Sequence, residues 1–147
     1  MEYKQSEFLI ETEVPHNELI ISRTDLKGNI TFANELFCEI SGYKLEELLG
    51  KPHSIVRHPD MPSVIFKELW ETIQSKNKWV NIVKNMRKDG GYYWVKAIVS
   101  GLYKDGVLVE YKSLRTPINH SDKLEHQKLY DKIRQENGEK TRRVIYE

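Results

Sequence analysis

Lys78 to Thr116 reads KWVNIVKNMRKDGGYYWVKAIVSGLYKDGVLVEYKSLRT, three strand-like runs separated by two Asp-Gly pairs. The runs are Lys78 to Met86, Tyr92 to Leu102 and Val107 to Thr116. Asp89-Gly90-Gly91 and Lys104-Asp105-Gly106 between them are hairpin signals, because Asp and Gly accept the backbone of a tight turn. In the middle run Tyr93, Val95, Ala97 and Val99 alternate with Trp94, Lys96 and Ile98, so one face is more apolar. A sheet with one apolar face needs a second layer over it.

That layer is legible immediately upstream. From about Met61 to Ser75, Phe66, Leu69, Trp70 and Ile73 fall at i, i+3, i+4 and i+7 and share one helical face. Asp60 is placed as its N-cap, with Pro62 in the first turn, where a missing N–H does no harm. Residues 51–60 carry a proline near each end and read as irregular or as one short turn. Further back, Lys44 to Leu49 reads as a short helix. Asn34 opens another, with Leu36, Phe37 and Ile40 on one face and Gly42 to stop it. Glu18 to Thr24 and Asn29 to Ala33, joined through Asp25-Leu26-Lys27-Gly28, form a second hairpin.

After the third run, Ser121 to Glu136 predicts a charged helix with Leu129, Tyr130 and Ile133 as a weak apolar stripe. The tail beyond Gly138 is polar, and its basic group Lys140, Arg142 and Arg143 reads as a solvated end. Two strands, a group of helices, three strands and a terminal helix define an α+β chain. Its five-stranded antiparallel sheet is covered by helices on one face. A concave sheet beneath helices is a natural small-ligand pocket.

Composition narrows the function. The chain has 147 residues, 39% hydrophobic and 31% charged, an ordinary balance for one globular domain. A net charge of +1 gives no global basic surplus for nucleic acid. Cys38 is the only cysteine, so neither an internal disulfide nor a Cys-x-x-Cys pair exists, and inside an apolar helix it reads as packing. His53 and His58 are five apart in a proline-flanked loop, unlike a helical metal pair. No phosphate loop, nucleophile elbow or dinucleotide fingerprint appears, and the expectation is a protein that is not an enzyme. With no leader and no apolar run near the roughly 20 residues of a membrane span, a cytoplasmic location is expected, with any membrane association through a partner.

The local wording resembles a known family. Asn29-Ile30-Thr31-Phe32-Ala33-Asn34, Ser41-Gly42-Tyr43 and Glu46-Glu47-Leu48-Leu49-Gly50-Lys51 look like the front half of a PAS domain, and Lys88-Asp89-Gly90 with Tyr93-Trp94-Val95 like its hairpin. Pro52-His53-Ser54-Ile55-Val56-Arg57-His58-Pro59-Asp60-Met61-Pro62, followed by Phe66, Trp70, Trp79 and Val83-Lys84-Asn85, is similar to the PAS domains of the aerotaxis receptor and energy-taxis family. The resemblance covers about residues 15–120. It implies a PAS sensory domain over 18–118, a lead-in over 1–17, and a C-terminal helix and tail over 119–147.

The resemblance also implies noncovalent FAD, whose redox state is reported to the chemotaxis machinery. Asn85 would offer an amide, both donor and acceptor, to the polar edge of the flavin ring. Asn34 either caps its helix or turns its amide to the ring. Arg57 would clamp phosphate with its planar fork of donors, and His58 would bind the cofactor or tie down the loop. Trp70 is either core or a stacking partner. Trp79 would flank the ring, on the same side as Asn85 if the strand is unbroken and not if a bulge intervenes. Tyr93 reads better as core. The implied partner is a methyl-accepting chemotaxis-type transducer or its HAMP or signalling domain, and a homodimer is open. A chain ending at Glu147 resembles the separate PAS subunit of a bipartite receptor, and a fragment is equally compatible. The alternative is a PAS interaction module that binds haem, another small ligand or none.

Overall fold

A computed structural model describes residues 10–139. The polar opening of the chain and the basic group Lys140, Arg142 and Arg143 lie outside the described residues. Five strands form one antiparallel sheet: β1 (Ile20–Thr24), β2 (Ile30–Ala33), β3 (Trp79–Met86), β4 (Tyr92–Lys104) and β5 (Val107–Thr116), in the spatial order β2-β1-β5-β4-β3. Between β2 and β3 lie α1 (Glu35–Ser41), α2 (Leu45–Leu48), a 3-10 turn (His53–Val56) and α3 (Ser63–Gln74); α4 (His120–Glu136) follows β5. The α+β architecture expected from the sequence is the one observed.

The core forms where the sheet meets these helices. Ile20, Ile30, Phe37, Leu48, Val56 and Val95 are essentially sealed from solvent, and each such side chain contributes about 1.5–3 kcal/mol relative to exposure. β3 pairs with β4 without a break from Trp79 opposite Val99 to Met86 opposite Tyr92. No bulge intervenes, so Trp79, Val83 and Asn85 share a face. β3 is an edge strand, and its free side is covered by the loop after the 3-10 turn: Arg57 bridges Asn85, and the Lys84 amide points at Met61 Sδ at 3.4 Å. Covering an edge in this way prevents it from pairing with another chain.

The turn between β1 and β2 positions the helical layer. Asp25 Oδ1 accepts from the amides of Lys27 and Asn29, both at 2.9 Å, and the Gly28 carbonyl accepts from His53 N at 3.0 Å. Gly28 has φ +90°, and a Cβ there would meet the Trp70 ring at 3.0 Å. Backbone conformation and close approach both require glycine.

Two expectations need correction. Asp60 is not the cap of α3. The N-cap position is Pro62, and the Ser63 amide donates instead to the Glu139 carboxylate at 3.1 Å. Asp60 is buried and engaged with Lys84, 2.7 Å away. The apolar stripe of α4 is right in part: Tyr130 is buried and Ile133 packs against the core, but Leu129 is exposed, and Gln127 and Arg134 are buried beside Asp60 and Lys84.

Candidate functional site

Between the inner sheet face and the α3 layer lies a cavity of about 300 Å³. Val83, Ala97, Val99, Leu69 and Ile73 give it apolar walls, and Phe66, Trp70, Trp79 and Tyr111 line it with rings. Trp70 and Tyr111 meet edge to face, with centroids 5.9 Å apart. Lys27, Arg57 and Arg115 also line the cavity, and no carboxylate among the described residues does. A flat apolar slot with cations and no opposing acid selects an anionic ligand with a planar part.

Four of the six residues singled out from the sequence come together here: Arg57, Trp70, Trp79 and Asn85. They arrive from three elements. Asn85 and Trp79 stand on the inner face of β3, Trp70 projects from α3, and Arg57 ends the 3-10 turn with its guanidinium 4.1 Å from the Phe66 ring centre. Partial burial lowers the Arg57 pKa, and the Glu139 carboxylate opposes part of that shift. The buried hydroxyl of Tyr93, pushed up to about 12 by desolvation, neighbours the Asn85 side chain; Tyr93 is core, as its sequence reading favoured.

The other two stand away from the cavity walls. Asn34 Oδ1 accepts from the amides of Phe37 and Ile21, both at 3.1 Å, while Nδ2 donates to the Leu19 carbonyl at 2.7 Å. Of its two open roles, the cap is the one the geometry fills, and the same amide ties α1 to β1. His58 is 0% exposed; its Nδ1 accepts from the Asp60 amide at 3.0 Å, and its ring meets Tyr92 edge on. It holds the loop that carries Arg57.

Sequence reading missed the deepest polar group. Arg115, 3% exposed, donates from Nη2 to Ser22 Oγ at 2.8 Å and to His53 Nε2 at 2.6 Å, and its guanidinium lies over Phe37. Its Nη1 has no hydrogen-bond partner among the described residues. Burial lowers its pKa to about 10, so it remains a cation at neutral pH. A buried guanidinium with an unused donor on a cavity wall is a recognition group for a carbonyl or an anion. The available signal was parity: Tyr111, Ser113 and Arg115 alternate with Lys112, Leu114 and Thr116, and the first set faces inward. Leu114 on the other face made the two sides hard to rank.

His53 is half-buried, its remaining surface on the cavity. Burial and the Arg115 guanidinium push its pKa down from 6.5 to about 3. Since the Arg115 guanidinium can only donate, Nε2 is the acceptor and the neutral ring carries its proton on Nδ1. The folded value lies below the unfolded one, so the unfolded chain takes up the proton first. The stability of the neutral ring is complete above about pH 6.5 and is lost as pH falls towards 3. Between about pH 6 and 4, unfolding free energy is expected to fall more steeply in the wild type than in His53→Gln, by up to about 1.4 kcal/mol per pH unit. Urea unfolding at stepped pH measures this, and equal slopes would refute it.

Among the described residues there is no cluster of three or more metal-ligating side chains, and no helix is long and apolar enough to cross a membrane. Cys38 is half-buried with its thiol pKa raised by desolvation, in keeping with packing.

Helices clasp an antiparallel sheet over a ligand-sized cavity, the arrangement of a small ligand-binding domain. A family model of the PAS fold matches residues 30–115, and the chain belongs to the PAS family of sensory and signalling domains. It is 44% identical to the aerotaxis receptor of Escherichia coli strain K12 over 105 residues, 71% of this chain and 21% of that protein. It is 34% identical to the nitrogen fixation regulatory protein of Klebsiella pneumoniae over 115 residues, 78% of this chain and 23% of that one. The chain thus spans about a fifth of the length of these curated relatives. A light-oxygen-voltage domain studied with a flavin analogue superposes with a TM-score of 0.66 at 20% identity, covering 84% of this chain and 90% of its own. At that identity the likeness speaks for the fold alone.

Proposed function

We propose that this PAS domain binds FAD in its cavity and senses redox or oxygen status for energy taxis, passing the state of the flavin to a chemotaxis transducer by protein contact. The observation that carries the reading is the cavity itself: aromatic and aliphatic walls, an amide at Asn85, an unused guanidinium donor on Arg115, and the cations Lys27, Arg57 and Arg115 without a lining carboxylate. About 300 Å³ suits a flavin ring system better than a whole dinucleotide, whose charged part belongs near solvent-reaching cations such as Lys27 and Arg57. The likeness to an aerotaxis receptor supports the same reading.

When bound, the flavin supplies reversible electron uptake. The protein's part is recognition and relay. Asn85 can donate to or accept from a ring edge, Arg115 adds a cation beneath it, and both sit on strands that reach the outer face of the sheet. A differential interaction with two redox states is what a sensor needs. The haem alternative is disfavoured because His53 is the only histidine on the cavity wall and its Nε2 already accepts from Arg115.

The test is an absorption spectrum. Purified protein, or protein incubated with FAD, is expected to be yellow with oxidised flavin bands that bleach on mild reduction. Trp70→Ala is expected to lose the cofactor rather than only stability. Protein that stays colourless after incubation with FAD would overturn the proposal, as would an iron-porphyrin spectrum.

A further inference from the structure

One corner of the cavity is built from three polar groups that close a triangle. Ser22 on β1, His53 in the 3-10 turn and Arg115 on β5 all line it. Arg115 Nη2 stands 2.8 Å from Ser22 Oγ and 2.6 Å from His53 Nε2, and those two atoms are 3.3 Å apart. A guanidinium only donates, so the neutral imidazole must accept at Nε2, whereas a hydroxyl does both. Ser22 Oγ can therefore serve Nε2 with or without a proton on it. The triangle has room for one more proton.

A neighbouring cation keeps that proton out. β5 brings Arg115, the charge nearest to the imidazole; β1 brings the neutral Ser22, and α1 brings the Phe37 ring, edge on at 5.8 Å. The β1–β2 turn and the end of the 3-10 turn bring Lys27 and Arg57 to the same cavity, α3 and β3 bring the uncharged Trp70 and Asn85, and Tyr93 of β4 acts on Arg115. No carboxylate among the described residues lines the cavity, so nothing in the empty site favours an imidazolium. Burial and Arg115 hold the His53 pKa at about 3 there. Arg115 is the member a ligand can change, because its Nη1 has no hydrogen-bond partner among the described residues. Negative charge beside that donor would cancel the field that opposes protonation of His53.

We propose that His53 is the proton acceptor of the cavity, taking a proton on Nε2 when an electron enters a ring bound against Arg115. For the ring, the inference rests on the FAD reading above. The electron comes from the reductant and stays on the ring. The proton comes from solvent and forms a new N–H bond with the Nε2 lone pair. Arg115 Nη2 gives up that acceptor and keeps Ser22, and Nη1 turns to the negative edge of the ring. The net charge of the site is unchanged, and an uncompensated buried charge is avoided.

The ring carbon–proton NMR signal of His53 tests this on the purified full chain, flavin-free, with added FAD, and after full photoreduction with EDTA as electron donor. With oxidised FAD the ring is expected to stay neutral down to about pH 5, and in the reduced protein to titrate with a midpoint above about pH 6. Potentiometry gives a second reading that a merely packed histidine would not move. Between those two pH values the reduction equilibrium of the wild type is expected to fall an extra tenfold per pH unit against His53→Gln, about 30 mV for a two-electron couple. A neutral His53 in reduced protein at about pH 5 would overturn the proposal, as would parallel slopes in the two proteins. If His53→Gln does not fold, the wild-type signal decides alone. Absorbance of the same samples separates the two hypotheses: protein that takes up no FAD refutes the cofactor reading. The coupling is then decided in flavin-free Arg115→Met, where loss of the cation must make His53 at least tenfold easier to protonate, and an unmoved titration would overturn it.

Discussion

Arg115→Met is expected to weaken FAD binding by roughly 10- to 100-fold while leaving the empty protein as stable as the wild type or more so. The two effects have opposite signs for one physical reason. In the empty cavity Arg115 is a buried cation with an unused Nη1 donor, and burial lowers its pKa from 12.5 to about 10. A shift of that size corresponds to about 3 kcal/mol against the charged form. Ser22, His53 and the Phe37 ring offset part of it. Methionine fills the space without a charge to bury and cannot donate to a ligand. Titration of flavin-free protein with FAD, alongside melting curves of both proteins, gives the two numbers. A variant that melts well below the wild type and binds FAD equally well would make Arg115 a structural residue.

Asp60→Ala is expected to destabilise the domain by about 3–5 kcal/mol, because it takes away the buried carboxylate that Lys84 Nζ meets at 2.7 Å, although Arg134 keeps Asp131. For a domain of this size that corresponds to a melting temperature lower by roughly 10 °C. Asp60→Asn should lose less, since an amide still accepts from Lys84 and Gln127. The double variant Asp60→Leu with Lys84→Met should recover much of the loss, because apolar groups of similar volume often replace a buried ion pair at little net change. Chemical unfolding of the four proteins checks this, and an Asp60→Ala change under about 1 kcal/mol would show Asp60 and Lys84 to be loosely coupled.

The sheet was legible because its signals are local. Asp-Gly pairs mark both hairpins of β3–β5, and strict alternation put Trp79 and Asn85 on one face once β3 proved unbroken. Arg57, Trp70, Trp79 and Asn85 could be brought together from the sequence because each lies in a stretch with a strong family resemblance. What failed was decided by partners remote in the chain. Asp60 carries every local mark of a helix cap, yet Lys84 and Arg134, 24 and 74 positions away, take its carboxylate. Asn34 looked equally suited to a ring or a cap, and the amides of Ile21 and Phe37 take up its oxygen. Arg115 went unnoticed because both faces of β5 mix polar and apolar residues. α4 was read for an apolar stripe, which Tyr130 and Ile133 fulfil, but Gln127 and Arg134 are buried beside them against Lys84 and Asp60.

Ahead of β1, Glu11 forms a parallel bridge with Tyr92 at the start of β4, and this has a mechanical consequence. Thr12 N bonds to the Tyr92 carbonyl at 2.8 Å, the Tyr92 amide to Ile10 at 3.0 Å, and Lys123, in the first turn of α4, to Glu11 at 2.6 Å. The first described residues and the first turn of α4 are therefore fastened together beside the turn of the β3–β4 hairpin. Tension applied from the N-terminal side then loads the turn of that hairpin before it reaches β1 or β2, and pulls first on the strand pair that carries Asn85.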